Sequence, residues 1–255
     1  MKTLSDPEKL RYHRHLNLEE IGEAGQTRIL NTKFLVVGAG GLGCPAIQYL
    51  TAAGAGAIGI MDNDEIEISN LQRQVFYGFN DIGKLKCIVA STKMKRMNSF
   101  VDLVMINRRL NAQNALQIIA EYDVILDCTD NLESRYMIND ACIIGNKPMV
   151  HAAIHKYQGQ VSVFNYRNGP SYRCLHPEAD PVNKYPGMSS GIYSVIPGII
   201  GLMQANEAIK IATGAGEPLS GKILIYNALN SQFLLMDIEK NPINFNRENL
   251  LERFK

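Results

Sequence analysis

Arg73 and Lys86 offer fixed positive charge, Asp130 offers a hard oxygen donor, and Gly38, Gly40 and Gly43 offer backbone free of Cβ atoms. Side chains and turns of these types suit a polyanion, above all the phosphates of a nucleotide. The glycines stand in Gly38-Ala-Gly40-Gly41-Leu-Gly43, directly after the continuously apolar, β-branched run Phe34–Val37 and before a helical pattern spanning about Cys44 to Ala53. Such a run reads as a parallel strand buried on both faces. Glycines then let the backbone turn tightly and approach a phosphate chain. Gly43 lets the next helix pack on the sheet, and that helix's free N–H groups and positive dipole end face the anion. A glycine-rich turn of purely steric origin is the bland alternative, and the flanking strand and helix argue against it. A nucleotide-binding turn of this kind calls for an acidic residue about 20 positions on, placed for a ribose hydroxyl. The second strand, Ala57 to Met61, ends at Asp62.

A polar loop follows from Asn63 to Gln74, at the carboxyl end of a buried strand, where open α/β sheets place their ligands. Asn70, Arg73 and Gln74 are spaced as one face of a short helix, against the alternative of an exposed capped turn. Lys86 lies in the first turn of a cationic helix, Lys84 to Met97, whose other lysines read as solvated. Asp127 and Asp130 stand at the end of the strand Asp123–Asp127 and the start of the next helix. There an Asp either caps the helix or holds Mg²⁺, which takes one or two carboxylates together with substrate phosphates. Arg11, His13, Arg14 and His15 crowd one short stretch, as a solvated face or as an arm offered to an anion on another surface.

The elements that must position these residues alternate. Ser5-Asp-Pro-Glu8 reads as a helix start with Asp6 as the cap, and a second helix runs from about Glu19 to Leu30. After Asp62, strands are expected at Asp102–Asn107, Asp123–Asp127 and Met149–Ala153, with a helix capped by Asn111 and another ending at Gly145. Alternation then gives way to the strand Gly159–Asn165, a stretch without expected structure from Tyr166 to Gly191, an apolar helix Ser194–Thr213, and strands Lys222–Asn227 and Ser231–Asp237. The fold class is therefore α/β, a Rossmann-like, mostly parallel sheet with an antiparallel C-terminal extension that could offer a surface to a protein partner. Residues 1–255 read as a single domain with a helical arm at 1–31 and a crossover loop at 176–192.

Lys and Arg number 26 against 25 Asp and Glu, so no overall field points to nucleic acid or to an anionic membrane. The N-terminus is too polar for a signal peptide and no apolar run approaches the length of about 18 needed to span a bilayer, so a cytoplasmic protein is expected. Five cysteines, at 44, 87, 128, 142 and 174, form no Cys-x-x-Cys pair and read as reduced, mostly buried thiols. Cys44 alone sits where a helix dipole would lower its pKa, although a small packing residue explains it as well.

With these pieces in place, the chain resembles nearly end to end the MoeB/ThiF (HesA) family of sulfur-carrier adenylyltransferases, relatives of the ubiquitin-activating enzymes. The resemblance is carried by Arg11-Tyr-His-Arg14, Gly38-Ala-Gly-Gly-Leu-Gly43, Asp62, Ser69-Asn-Leu-Gln-Arg-Gln74, Lys86 and Leu126-Asp-Cys-Thr-Asp-Asn131. It implies that Gly41 and Asp62 hold the adenosine half of ATP. It implies further that Asn70, Arg73 and Lys86 contact the phosphates, with Ser69, Gln74 and Asn131 in the same nucleotide site, and that Asp130 binds Mg²⁺. Arg14 would then reach in from the second subunit of a homodimer. The implied reaction adenylates the C-terminal Gly-Gly carboxylate of a small ubiquitin-like carrier of the molybdopterin or thiamine type, releasing pyrophosphate.

Two departures from the family stand out. The zinc-binding pairs are missing, since the first reads Ser171-Tyr-Arg-Cys174 and Asn241-Pro-Ile-Asn-Phe-Asn246 stands where the second is expected. The crossover loop from Pro177 to Gly191 contains no cysteine. The chain is therefore expected to hold no zinc, to use no cysteine covalently, and to leave sulfur delivery to a separate donor. An NAD(P)-dependent oxidoreductase would use the glycine turn and Asp62 equally well, but has no use for Arg73, Lys86 and Asp130 together. A nucleotide-sensing scaffold, or an enzyme that adenylates a short peptide C-terminus, are the further alternatives.

Overall fold

The structure is a computed structural model and describes residues 2–177 and 191–254. Its N-terminal arm holds α1 (Asp6–Arg11), α2 (His13–Leu16) and α3 (Gly22–Asn31). The first cap is Ser5, not Asp6: Ser5 and Glu8 form a capping box around the Asp6-Pro7 start. The parallel half is β1 (Lys33–Val37), α4 (Gly43–Ala53), β2 (Ala57–Met61), α5 (Lys86–Met97), β3 (Asp102–Ile106), α6 (Ala115–Ala120), β4 (Val124–Asp127), α7 (Leu132–Gly145) and β5 (Met149–His155). There follow β6 (Gln158–Phe164), α8 (Tyr172–Leu175), α9 (Ile196–Thr213), β7 (Lys222–Asn227), β8 (Gln232–Asp237) and α10 (Arg247–Leu251). Asn114, rather than Asn111, precedes α6, while Asn111 accepts from the N–H groups of Gln113 and Asn114 in a side-chain turn. The stretch from Tyr166 is not wholly without structure, because α8 lies in it; the expected crossover loop is described only at His176, Pro177, Gly191 and Ile192.

Eight strands form one sheet in the order β3-β2-β1-β4-β5-β6-β7-β8. β3 to β5 run parallel and β6 to β8 add antiparallel. Chain order reverses between β1 and β4, the switch point at which an open α/β sheet leaves a crevice beyond its carboxyl ends. Both faces of the parallel half are covered. Phe34, Val36, Ile58, Ile60 and Val150 face Ile47, Leu50 and Ile200 of α4 and α9. Leu35, Val37 and Ile125 face Ile119 and Ile138 of α6 and α7. This two-sided burial is why those strands are apolar without alternation. The last strand, β8, is different: Phe233, Leu234, Leu235 and Met236 are each about half exposed.

Candidate nucleotide-binding site

The glycine turn leaves β1 at the switch point. Gly38 has φ +99°, and a Cβ there would stand 2.7 Å from the carbonyl oxygen of Cys128, so the turn and the end of β4 are pressed together. A Cβ on Gly43 would stand 1.9 Å from the Gly38 carbonyl oxygen, which forbids any side chain where the turn enters α4. No side chain caps α4; Cys44 N–H is bonded to the Gly40 carbonyl and Pro45 has no N–H, so it is the N–H of Gly43 at the helix start that is left to an anion. Cys44 in that first turn is not activated: burial pushes its thiol up to about 12, so its part is packing.

Asp62 accepts from the backbone of Ala39 at 2.7 Å through one oxygen and of Asp64 at 2.8 Å through the other, which fixes the carboxylate beside the turn. Burial raises its pKa, opposed by the charge of Lys86 and by those two bonds. Lys86 is buried and donates from Nζ to Asp64. Arg73 packs its stem near Gly41 and donates to the Ser69 carbonyl at 3.0 Å. Gln74 is 5% exposed, lies beside Gly40, and its Oε1 has no hydrogen-bond partner. Asn70 is buried and caps its own turn by accepting from Glu67 N–H, while the Ser69 hydroxyl donates to the Glu67 carboxylate. The polar loop is therefore not an idle surface turn: Ser69 and Asn70 shape it, and Arg73 and Gln74 are carried to the glycines.

Asp127 and Asp130 separate cleanly. Asp127 is fully buried and bonded to His151, which removes it from contact with any ligand in the crevice. The helix cap is neither aspartate: Asn131 accepts from Ser134 N–H at 2.9 Å. Asp130 is exposed and, among the described residues, makes no hydrogen bond or ion pair. A single uncommitted carboxylate two residues beyond the Gly38–Cys128 contact fits Mg²⁺, which keeps waters and completes its shell with phosphates. No group of three or more His, Cys, Asp or Glu side chains placed to hold a metal occurs among the described residues.

The residues do not fit zinc. Cys174 Sγ is instead the acceptor for Ser171 N–H, Asn241 N–H and the Asn244 side-chain amide, at 3.3–3.5 Å. Of the basic arm, Arg11 donates to the Met97 carbonyl and His15 bonds Gln26, both within the chain's own body. Arg14 is exposed in α2 with no hydrogen bond or ion pair among the described residues, and no such interaction joins it to the glycine turn.

Sequence reasoning missed Tyr77, whose hydroxyl donates to the Ala39 carbonyl at 2.8 Å and pins the turn from below. It missed Thr129 and His151 as well. The signal for His151 was a lone imidazole in an apolar strand, opposite Asp127 in the register of β4 and β5.

The fold and these residues define an α/β nucleotide-binding protein that presents cationic side chains and one free carboxylate at the sheet's switch point. Comparison with known proteins narrows the class. The chain belongs to the ThiF family, whose profile matches residues 12–244. It is 41% identical over 238 residues to the sulfur carrier protein adenylyltransferase of Thermus thermophilus, covering 91% of this chain and 88% of the relative. To the probable molybdopterin-synthase adenylyltransferase of Porphyra purpurea it is 48% identical over 91% of its own length, and it spans 61% of that protein. Among solved structures, E. coli MccB with ATP superposes with a TM-score of 0.82 at 22% identity, covering 94% of this chain and 74% of MccB. That likeness concerns the fold. No helix among the described residues is long and apolar enough to cross a membrane.

Proposed function

We propose that this chain adenylates the C-terminal Gly-Gly carboxylate of a small ubiquitin-like sulfur-carrier protein, using ATP and Mg²⁺, and that it works as a homodimer in the cytoplasm. The observation that carries the reading is the meeting of Lys86, Arg73 and Asp62 at the glycine turn, with the free carboxylate of Asp130 at the adjoining strand end. The names of the Thermus and Porphyra relatives support the same activity.

The chemistry asks little of the protein beyond position and charge. A peptide C-terminal carboxylate is already ionised at neutral pH, so no general base is needed. Its oxygen attacks the α-phosphorus, the bond to the bridging oxygen breaks, and the products are an acyl-adenylate and pyrophosphate. Asp62 orients the ribose, the N–H groups of the turn and of Gly43 face the phosphates, and Lys86 and Arg73 neutralise charge that grows on the phosphoryl oxygens and the departing pyrophosphate. Mg²⁺, held by Asp130 when bound, would add Lewis-acid neutralisation of those oxygens. Half-exposed Phe233 and Leu235, on one face of the edge strand β8, supply an apolar surface for the carrier's body. Sulfur would come from a separate donor: the four buried cysteines have thiols raised by burial, and the Cys174 sulfur is engaged by hydrogen bonds from Ser171, Asn241 and Asn244.

The test is ATP–pyrophosphate exchange with the host's small proteins that end in Gly-Gly, each alongside its copy lacking those two residues and alongside the corresponding C-terminal peptide. Exchange only with an intact carrier is expected. Exchange supported by the free peptide alone would move the acceptor to a short peptide. Tight NADH binding with no exchange would overturn the reading in favour of an oxidoreductase.

A further inference from the structure

Asp127 and His151 are both fully buried, at opposed positions of β4 and β5, and His151 Nδ1 meets Asp127 Oδ2 at 2.7 Å. The other carboxylate oxygen accepts from Thr129 twice, from its N–H at 3.1 Å and its hydroxyl at 2.6 Å. Arg135 donates to the Thr129 carbonyl at 3.1 Å. Gln204 donates to the backbone carbonyls of Asp127 and Val150, and so holds β4 and β5 in this relation. Thr129 is thus gripped on its N–H, hydroxyl and carbonyl by two buried charged side chains, and the next residue is Asp130.

We infer that His151 is a positioning residue for the reaction: by fixing the Asp127 carboxylate that holds Thr129, it sets the aim of Asp130 toward the metal. This rests on the proposed role of Asp130. Stability alone does not explain the histidine. Its Nε2 is buried without a hydrogen-bond partner, and the ring of Tyr172 packs on the imidazole with centroids 4.9 Å apart. A buried polar atom left unpaired costs about 1–3 kcal/mol, so well-packed apolar residues in place of both Asp127 and His151 would avoid a cost that the buried pair incurs. What the imidazole supplies is one donor, aimed at Asp127. Burial keeps the ring neutral; at Asp127 burial is the largest influence and acts to raise the pKa, but the hydrogen bond from His151, the charge of Arg135 and the Thr129 hydroxyl together prevail and keep that group ionised, so the proton lies on Nδ1. Partners behind a metal ligand typically change metal affinity by about tenfold to a hundredfold when removed.

The experiment compares wild type with His151→Asn, His151→Leu, Thr129→Val and Asp130→Asn. It reads ATP affinity by calorimetry with and without Mg²⁺, and carrier-dependent exchange against Mg²⁺ concentration. Asn can still donate to Asp127 and should stay close to wild type. The Leu and Val variants should lose about tenfold or more of the Mg²⁺-dependent gain in ATP affinity, with binding of metal-free ATP unchanged. Wild-type Mg²⁺ dependence in a folded His151→Leu protein would overturn the inference. Should that variant fail to fold, Thr129→Val decides in its place, since it removes the 2.6 Å hydroxyl bond to Asp127, the shortest part of the grip, without touching the histidine. Persistence of Mg²⁺-dependent exchange in Asp130→Asn would instead sink the underlying assignment of the metal.

Discussion

Lys86 Nζ donates to Asp64 Oδ2 at 2.7 Å, joining a lysine side chain that is 7% exposed to a carboxylate side chain that is 64% exposed. The lysine is held by its buried stem, whereas its partner is a solvent-exposed carboxylate that a phosphate can replace at little cost. Lys86→Ala should therefore slow adenylation by about a hundredfold, as loss of one preorganised donor to developing charge does, and Arg73→Ala should do likewise. Asp64→Asn should leave turnover intact and bind ATP at least as tightly as wild type. Near-normal single-turnover rates in Lys86→Ala would refute this assignment.

Asp130 and Asn131 are neighbours with separable duties. Because Asn131 caps α7, Asn131→Ala should lower stability by about 1 kcal/mol in urea titrations. Asp130→Asn should melt as wild type does and lose Mg²⁺-dependent exchange. A large stability loss in Asp130→Asn would return that residue to a structural role.

How much of this was legible in the sequence follows from range. β1, β2, β4 and the glycine turn were readable because local periodicity and the absence of Cβ atoms declare themselves within a few residues. The pairing of Asp127 with His151 was not, since it depends on the register of two strands whose partners lie 24 positions apart. Tyr77 was invisible for the same reason, its acceptor being 38 positions away at Ala39. At helix starts the miss was one of choice among nearby capping residues, Ser5 for Asp6 and Asn114 for Asn111, which local propensity does not separate.

Arg14 is exposed while its neighbours Arg11 and His15 fasten the arm to the body, an arrangement that suits a side chain offered to a second copy. Mixing inactive Arg14→Ala with inactive Arg73→Ala protein should restore up to a quarter of wild-type activity if each site draws those arginines from different subunits and exchange is random. A mixture as inactive as its components, despite demonstrated subunit exchange, would exclude action in trans.

Acid should destabilise the chain before its carboxylates titrate. His176 is held down to about 4 from the usual 6.5, by burial first and then by the nearby His151 and Arg135, and burial lowers His151 in the same direction. The unfolded chain takes up those protons near pH 6.5 and the folded chain does not, so the stability they contribute is complete above about pH 6.5 and is lost as pH falls toward 4. At Asp127 burial acts to raise the pKa, but the His151 bond, the Arg135 charge and the Thr129 hydroxyl together hold it below 3.8, so it adds to the loss only below that value. Urea midpoints should accordingly fall between about pH 7 and 5, and His176→Phe should flatten the slope. A flat profile in wild type would contradict the burial of these imidazoles.

The C-terminal tail should stay docked without metal. Asn241 N–H and the Asn244 side-chain amide both donate to Cys174 Sγ, and Arg247 donates to the Ile144 carbonyl at 2.7 Å. A structural zinc needs four ligands, and where the family's second cysteine pair is expected this chain places amides that bond the sulfur directly. Chelators should therefore leave the melting temperature unchanged, which they would not if metal binding contributed to folding. The sulfur keeps a chemical character of its own: burial acts to raise the Cys174 pKa, but the hydrogen bonds from Ser171, Asn241 and Asn244 prevail and lower it, whereas the other four thiols are raised by burial. Iodoacetamide should thus label Cys174 first in the native protein and reach the others only on unfolding. Cys174→Ser, which keeps an acceptor, should hold the tail better than Cys174→Ala, the difference being about 1 kcal/mol. A variant lacking all five cysteines should still release pyrophosphate, provided it folds. Stoichiometric zinc in the purified protein, or a carrier thioester that vanishes on replacing Cys174, would show that the sulfur does more than anchor the tail.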